Sequence, residues 1–139
     1  MILLDTSGLL AALFLDQRDH AECARALLEA EPPLVLSPFV LAELDYLVAK
    51  LAGEAAELEL LAEVARGAYR LAELDSGEIE EARAVIERHA GLGVGLADAS
   101  IVVLSRRLGC LDVLTLDERH FRALRGFRGR PFRLLPADR

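Results

Sequence analysis

The sequence is poor in several residues that usually carry chemistry. It has no tryptophan, and its two cysteines, Cys23 and Cys110, are too few for a disulfide framework or a zinc site. No stretch approaches the ~20 uncharged apolar residues of a transmembrane helix. The apolar start carries Asp5 and has no Lys or Arg before it, which does not fit a secretory signal peptide. We therefore expect a soluble, cytoplasmic protein with no membrane association.

The length and composition predict one globular domain over residues 1–139. A chain of 139 residues is long enough for a single sizeable core and leaves little room for a second domain. Apolar residues make up 53% and charged residues 28%, which excludes a disordered or fibrous chain.

Charge is distributed unevenly along the chain. Residues 1–100 hold 7 basic and 19 acidic residues, whereas residues 101–139 hold 9 and 4. An acidic body binds nucleic acid poorly in general, because affinity for polyphosphates comes mainly from Lys and Arg. The basic tail RHFRALRGFRGRPFR is either a solvated surface whose phenylalanines point into the core or a local strip that contacts phosphates.

Short apolar runs alternate with helical segments. The runs typical of buried strands are Met1–Leu4, Leu34–Leu36, Tyr69–Leu74, Val113–Leu116 and Phe132–Leu135. The predicted helices cover residues 9–15, 19–30, 39–51, 54–66, 76–88, 96–108 and 118–124, with start signals at Asp19, Ser37 and Asp75. This alternation predicts an α/β domain with a mainly parallel sheet that is covered on both faces.

Two aspartates follow directly after predicted strands. Asp5 ends the first run and Asp117 follows the fourth, so both are expected at the sheet edge where ligands bind in open α/β folds. Each could instead only cap the helix that follows it, and the two roles can coexist.

Two further acids interrupt apolar helix faces. Asp98 lies in the first turn of a helix that is apolar nearly all round, where an unpaired carboxylate is costly. Glu43 lies on the third helix beside Phe39 and Leu47, either as a site residue or as a rim residue whose stem reaches outward.

Together, Asp5, Glu43, Asp98 and Asp117 could converge at one sheet edge. Clustered carboxylates repel one another unless a cation neutralises them, and hard oxygen ligands favour Mg²⁺ or Mn²⁺. Such a site suits phosphodiester hydrolysis. The three histidines lie beside charged residues in the sequence, and we expect them on the surface.

Four segments in this order resemble the PIN domain, and more narrowly the VapC-type ribonuclease toxins. These are the strand ending in DTS, SPFVLAEL, GLADASIVVLSRRLG and VLTLDERHF. The resemblance places the family's acidic quartet on Asp5, Glu43, Asp98 and Asp117. It places the supporting hydroxyls on Thr6 or Ser7 and on Thr115.

The resemblance implies a three-layer α/β/α sandwich, RNA hydrolysis with Mg²⁺ or Mn²⁺, a homodimer and a small antitoxin partner that covers the site. The leading hypothesis is in-line attack of water on a backbone phosphorus, with Arg119 and Arg122 gripping flanking phosphates unless they pair with nearby carboxylates. The alternatives are a PIN-like nuclease of RNA maturation, another Mg²⁺ phosphohydrolase, and a non-enzymatic module whose acidic pocket binds a basic peptide.

Overall fold

The computed structural model describes residues 1–139 as five strands and seven α-helices. The strands are β1 (Ile2–Leu4), β2 (Leu34–Leu36), β3 (Arg70–Leu71), β4 (Asp112–Leu114) and β5 (Arg133–Leu135). The helices are α1 (Thr6–Leu13), α2 (His20–Glu29), α3 (Pro38–Ala52), α4 (Glu54–Ala65), α5 (Ser76–Arg88), α6 (Leu96–Leu108) and α7 (Glu118–Ala123). A 3₁₀ turn, Phe127–Gly129, precedes β5.

The five strands form one sheet in the order β3-β2-β1-β4-β5, and every pair in it is parallel. The chain leaves β1 toward β2 and β3, then crosses back to β4 and β5. The direction of winding therefore reverses between β1 and β4. In a parallel sheet this switch point opens a crevice at the carboxyl ends of the two strands.

Right-handed crossovers put the helices before β3 on one face of the sheet and the later helices on the other. The result is the three-layer α/β/α sandwich expected from the sequence. The core contains all of β1 and the consecutive residues Ala99–Ser105 of α6, which are buried. None of the helices combines the length and apolar character needed to cross a bilayer.

Local sequence signals account for the starts of α3 and α5. The side chain of Ser37 caps α3 by accepting from the amide of Phe39, and Asp75 forms a capping box with Glu78 at the start of α5. The predicted box between Asp19 and Glu22 is wrong, because the Asp19 side chain makes no capping hydrogen bond to α2. The predicted strand over residues 69–74 is confirmed only as the two residues of β3.

Gly8 allows α1 to lie directly against the end of β4. A Cβ atom at this position would lie 2.5 Å from the carbonyl oxygen of Leu114 and 2.8 Å from the amide nitrogen of Thr115. Both neighbours are backbone atoms, so they cannot rotate away as a flexible side chain would. Gly8 therefore sets how closely α1 can approach the end of β4.

We predict that Gly8→Ala lowers the free energy of unfolding by about 1–3 kcal/mol, because the added methyl group overpacks this contact. Urea unfolding of both proteins measures the change. The matched control is Gly77→Ala in the first turn of α5, where the nearest atom is a side-chain oxygen at 3.4 Å. Equal losses in the two variants would contradict the close-approach argument.

Candidate active site

The carboxyl ends of β1 and β4 open into a pocket of about 440 Å³ at the switch point. All four predicted acids line it: Asp5, Glu43, Asp98 and Asp117. They come from the end of β1, from α3, from the first turn of α6 and from the start of α7. The topology therefore brings together four acids that are far apart in the sequence.

Asp5 is the most buried of these acids, at 4% exposed. Its Oδ2 atom accepts from the Ser7 hydroxyl at 2.8 Å and from the Thr115 hydroxyl at 2.7 Å. The same two hydroxyls accept from the backbone amides of Leu116 and Asp117. Asp5 Oδ2 therefore lies at the centre of a small hydrogen-bond network that joins α1 to the loop after β4.

Asp5 occupies the N-cap position of α1, but its side chain does not cap the helix. The capping interpretation is therefore wrong for this residue. Burial raises the pKa of the Asp5 carboxyl, the donors from Thr115 and Ser7 oppose this rise, and the charge of Asp117 adds to it. No side chain donates to Oδ1, so this oxygen is available to a ligand.

Asp98, Asp117 and His120 form a tight group on the opposite side of the pocket, and their ligand atoms all lie within 4.8 Å of one another. Asp117 has two roles, as the sequence allowed. Its Oδ1 accepts from the His120 amide and so caps α7, while its Oδ2 lies 2.9 Å from His120 Nδ1. Asp98 Oδ2 lies at the same distance from that nitrogen.

The His120 ring is fixed from its other side. Its Nε2 lies 3.0 Å from the carbonyl oxygen of Leu92. Because a carbonyl oxygen only accepts, Nε2 carries the proton in this contact. Nδ1 then faces Asp98 and Asp117, where it either donates as part of an imidazolium or offers a lone pair to a cation.

Asp98 has the strongly perturbed acidity expected of a buried carboxylate. Its pKa is raised to about 6, chiefly by burial and then by the charges of Asp5 and Asp117, while His120 opposes the rise. The partner that this carboxylate needs inside the fold is His120, whose Nδ1 lies 2.9 Å from Asp98 Oδ2.

Glu43 is more exposed than the three aspartates and lies at the mouth of the pocket. Burial, and then the charge of Asp5, raise the pKa of its carboxyl, while the hydroxyl of Thr6 opposes the rise. Thr6 also lines the pocket, and its hydroxyl is buried. Of the two hydroxyls that the resemblance offered on α1, only that of Ser7 contacts Asp5.

The donor set fits a hard divalent cation. Carboxylate oxygens are the ligands that Mg²⁺ and Mn²⁺ prefer, and three of the four acids have raised pKa values because burial, and then neighbouring carboxylates, disfavour their charged forms. Asp98, Asp117 and His120 could hold one ion directly. Asp5 and Glu43 line the same pocket.

His120 was not among the predicted site residues. The expectation that the histidines lie on the surface is wrong for His120, which lines the pocket, whereas His20 and His89 are half-buried elsewhere. A signal was present, because His120 lies three residues after Asp117 and such pairs share one face of a helix.

Arg122 is engaged away from the pocket. Its guanidinium group pairs with Glu118 and with Asp138, which is the alternative left open by the sequence. Arg119 is exposed and takes part in none of the ion pairs of the molecule. Neither arginine lines the acidic pocket.

Comparison with known proteins supports the same fold and family. The model of the PIN domain family matches residues 2–126. The chain is 43% identical over 135 residues to Ribonuclease VapC26 of Mycobacterium tuberculosis, covering 97% of this chain and 100% of that protein.

Three solved structures share the fold at 21–22% identity. VapC20 of Mycobacterium tuberculosis, described as a toxin that cleaves the sarcin-ricin loop, has a TM-score of 0.78 over 84% of this chain and 90% of its own. A toxin-antitoxin complex from Klebsiella pneumoniae gives 0.64 over 89% and 92%, and FitAcB from Neisseria gonorrhoeae gives 0.60 over 87% and 91%. With the family model matched over nearly the whole chain, and a relative of this identity covered end to end, the chain belongs to the PIN domain family.

Proposed function

We propose that this protein is an endoribonuclease that depends on Mg²⁺ or Mn²⁺ and is the toxin of a toxin–antitoxin pair. The observation that carries the proposal is the pocket at the β1/β4 switch point, which four carboxylates line. The 43% identity to a protein named as a ribonuclease, over nearly the whole chain, supports RNA as the substrate.

Asp98 and Asp117 are the proposed principal holders of the ion, and Asp5 lines the same pocket. A divalent ion bound there would polarise the scissile phosphate and make a water acidic enough to attack it. Ser7 and Thr115 donate to Asp5 Oδ2, which favours the ionised form of that carboxylate and fixes its orientation. Glu43, the most exposed of the four acids, would orient the attacking water.

His120 has a supporting role in this proposal. Its ring is held by the carbonyl of Leu92 and contacts both Asp98 and Asp117. In the imidazolium form it partly neutralises these two carboxylates before a metal binds. Arg119 is kept as a candidate contact to RNA. Arg122 would first have to break its ion pairs with Glu118 and Asp138 before it could contact RNA.

The proposed partners are a small antitoxin protein and a second copy of the chain. The relatives with the same fold include a toxin-antitoxin complex, which supports an antitoxin for this protein. An antitoxin segment that is basic and apolar would complement an acidic pocket bordered by Leu10 and Leu47. Size measurements of the protein alone and after coexpression with its neighbouring gene test both partners.

We predict that Asp5→Asn and Asp98→Asn each reduce RNA cleavage by at least 100-fold, since each substitution removes a charged oxygen ligand and its electrostatic contribution. The assay follows a labelled RNA in the presence of Mg²⁺. The same substitution at two surface acids, Asp16→Asn and Asp112→Asn, is the matched control and should leave the rate unchanged. Activity like that of the wild type in Asp98→Asn would reject the assignment.

Metal binding should also be visible without any cleavage. A cation that binds only the folded state raises the melting temperature by mass action, so Mg²⁺ or Mn²⁺ should stabilise the wild type in a concentration-dependent way. The shift should be clearly smaller for Asp5→Asn at equal metal concentration. An equal shift in the two proteins would locate the ion elsewhere.

The raised pKa of Asp98 predicts a pH-dependent stability difference in the metal-free protein. A carboxyl with a pKa of about 6 in the folded state and 3.8 when unfolded favours folding while it is protonated, and this advantage is lost as the pH rises through 6. Asp98→Asn does not titrate. Its free energy of unfolding should therefore rise relative to the wild type by up to about 3 kcal/mol between about pH 4 and pH 7.

Chemical unfolding at several pH values, with EDTA present, measures this difference. Asp112→Asn serves as the control, because Asp112 lies on the surface in an ion pair with Arg133. A difference between Asp98→Asn and the wild type that does not change with pH would show that the Asp98 carboxyl is not perturbed.

A further inference from the structure

A second cleft, which we call the basic cleft, lies between α5, α6 and the end of α7. Its volume is about 100 Å³, and Arg88, Arg106 and Arg125 lie on its rim together with His89. The three arginines come from three separate elements. No acidic residue lines this cleft, although the chain as a whole has a net charge of −7.

The arginines of the basic cleft have no carboxylate partners. None of the ten ion pairs in the molecule includes Arg88, Arg106 or Arg125. The Arg125 guanidinium donates only to the backbone carbonyls of Arg122 and Leu124, and the neighbouring Glu87 is paired with Arg83. Three uncompensated cations around one small depression repel one another, and an anion would relieve this repulsion.

The floor of the basic cleft is apolar. It consists of Val85, Val102 and Leu124, all of which are almost completely buried. Charged groups over an apolar floor are less hydrated than on an open surface, which strengthens their attraction for an anion. The combination suits a phosphate with an attached sugar or base, because one part of such a ligand is charged and the other can pack against the floor.

The basic cleft is connected to the acidic pocket by the same two helices. Asp98 lies in the first turn of α6, and Arg106 lies eight residues further along that helix, roughly 12 Å away. Asp117 caps the start of α7, and Arg125 follows its end. The two sites therefore lie near opposite ends of the same two helices, a distance that a short segment of RNA can span.

From this arrangement we infer that the basic cleft is an anchor for the RNA backbone, binding phosphates of the single-stranded segment that leads away from the acidic pocket. The inference rests on the proposed function. RNA is favoured over an acidic protein segment because the proposed substrate has to approach four carboxylates, and cations at the basic cleft offset part of that repulsion. Contacts of this type position a strand without reading its sequence.

The test compares the wild type with the double variant Arg88→Gln/Arg106→Gln. Binding of a fluorescein-labelled single-stranded RNA is measured by anisotropy at several salt concentrations, with EDTA present to prevent cleavage. Loss of two phosphate contacts should reduce the slope of log affinity against log salt by about 1.4, at about 0.7 per contact. The affinities should differ most at low salt and converge at high salt.

Two further variants make the result specific. Arg66→Gln/Arg70→Gln removes the same charge from exposed arginines at the β3 edge of the sheet and should leave the slope near that of the wild type. Arg88→Lys/Arg106→Lys keeps the charge and should restore most of the slope. Thermal melts of every variant check that the fold is intact.

A slope for Arg88→Gln/Arg106→Gln equal to that of the wild type overturns the inference. So does an equal loss in Arg66→Gln/Arg70→Gln, since it would mean that only net charge matters. A cleft that binds polyglutamate but not RNA would belong to an acidic protein partner and also overturns it. Cleavage by the wild type in Mg²⁺ is measured separately, so that failure of the proposed function is distinguished from failure of the anchor.

Discussion

The site depends on one buried oxygen atom, Oδ2 of Asp5. The hydroxyls of Ser7 and Thr115 donate hydrogen bonds to it. The same hydroxyls accept hydrogen bonds from the backbone amides of Leu116 and Asp117. The loop after β4 is thereby attached to the end of β1, and Asp117 is set at the pocket by the same contacts. A methyl group in place of either hydroxyl would leave a buried carboxylate short of a donor, which costs far more than the hydrogen bond itself contributes.

The same pocket is a source of instability for the metal-free protein. Three of its carboxyls have raised pKa values, which means that their charged forms are disfavoured by the surrounding structure. The rest of the fold compensates through an extensive apolar core around β1, β4 and α6. This division is typical of proteins in which a functional site is held in an unfavourable arrangement by packing elsewhere.

The features that could be predicted from the sequence are those that depend on a few neighbouring residues. The bounds of α6 could be read from an apolar run between two glycines, and the positions of Asp5 and Asp117 from the strands that precede them. The contact of His120 with Asp98 could not, because it depends on the angle at which α7 packs beside α6, and the two residues are 22 positions apart. The basic cleft was missed for the same reason, since its three arginines come from separate elements.

The central position of β1 has a consequence for the order in which the molecule can assemble. This strand is synthesised well before its neighbour β4, and the Thr115 hydroxyl that binds Asp5 follows Asp5 by 110 residues. Contacts between such distant positions form late, because closing the loop between them is entropically expensive. A chain that has been made only as far as α5 therefore has no complete acidic pocket, and any activity of the pocket begins only after β4, Thr115 and Asp117 have been added.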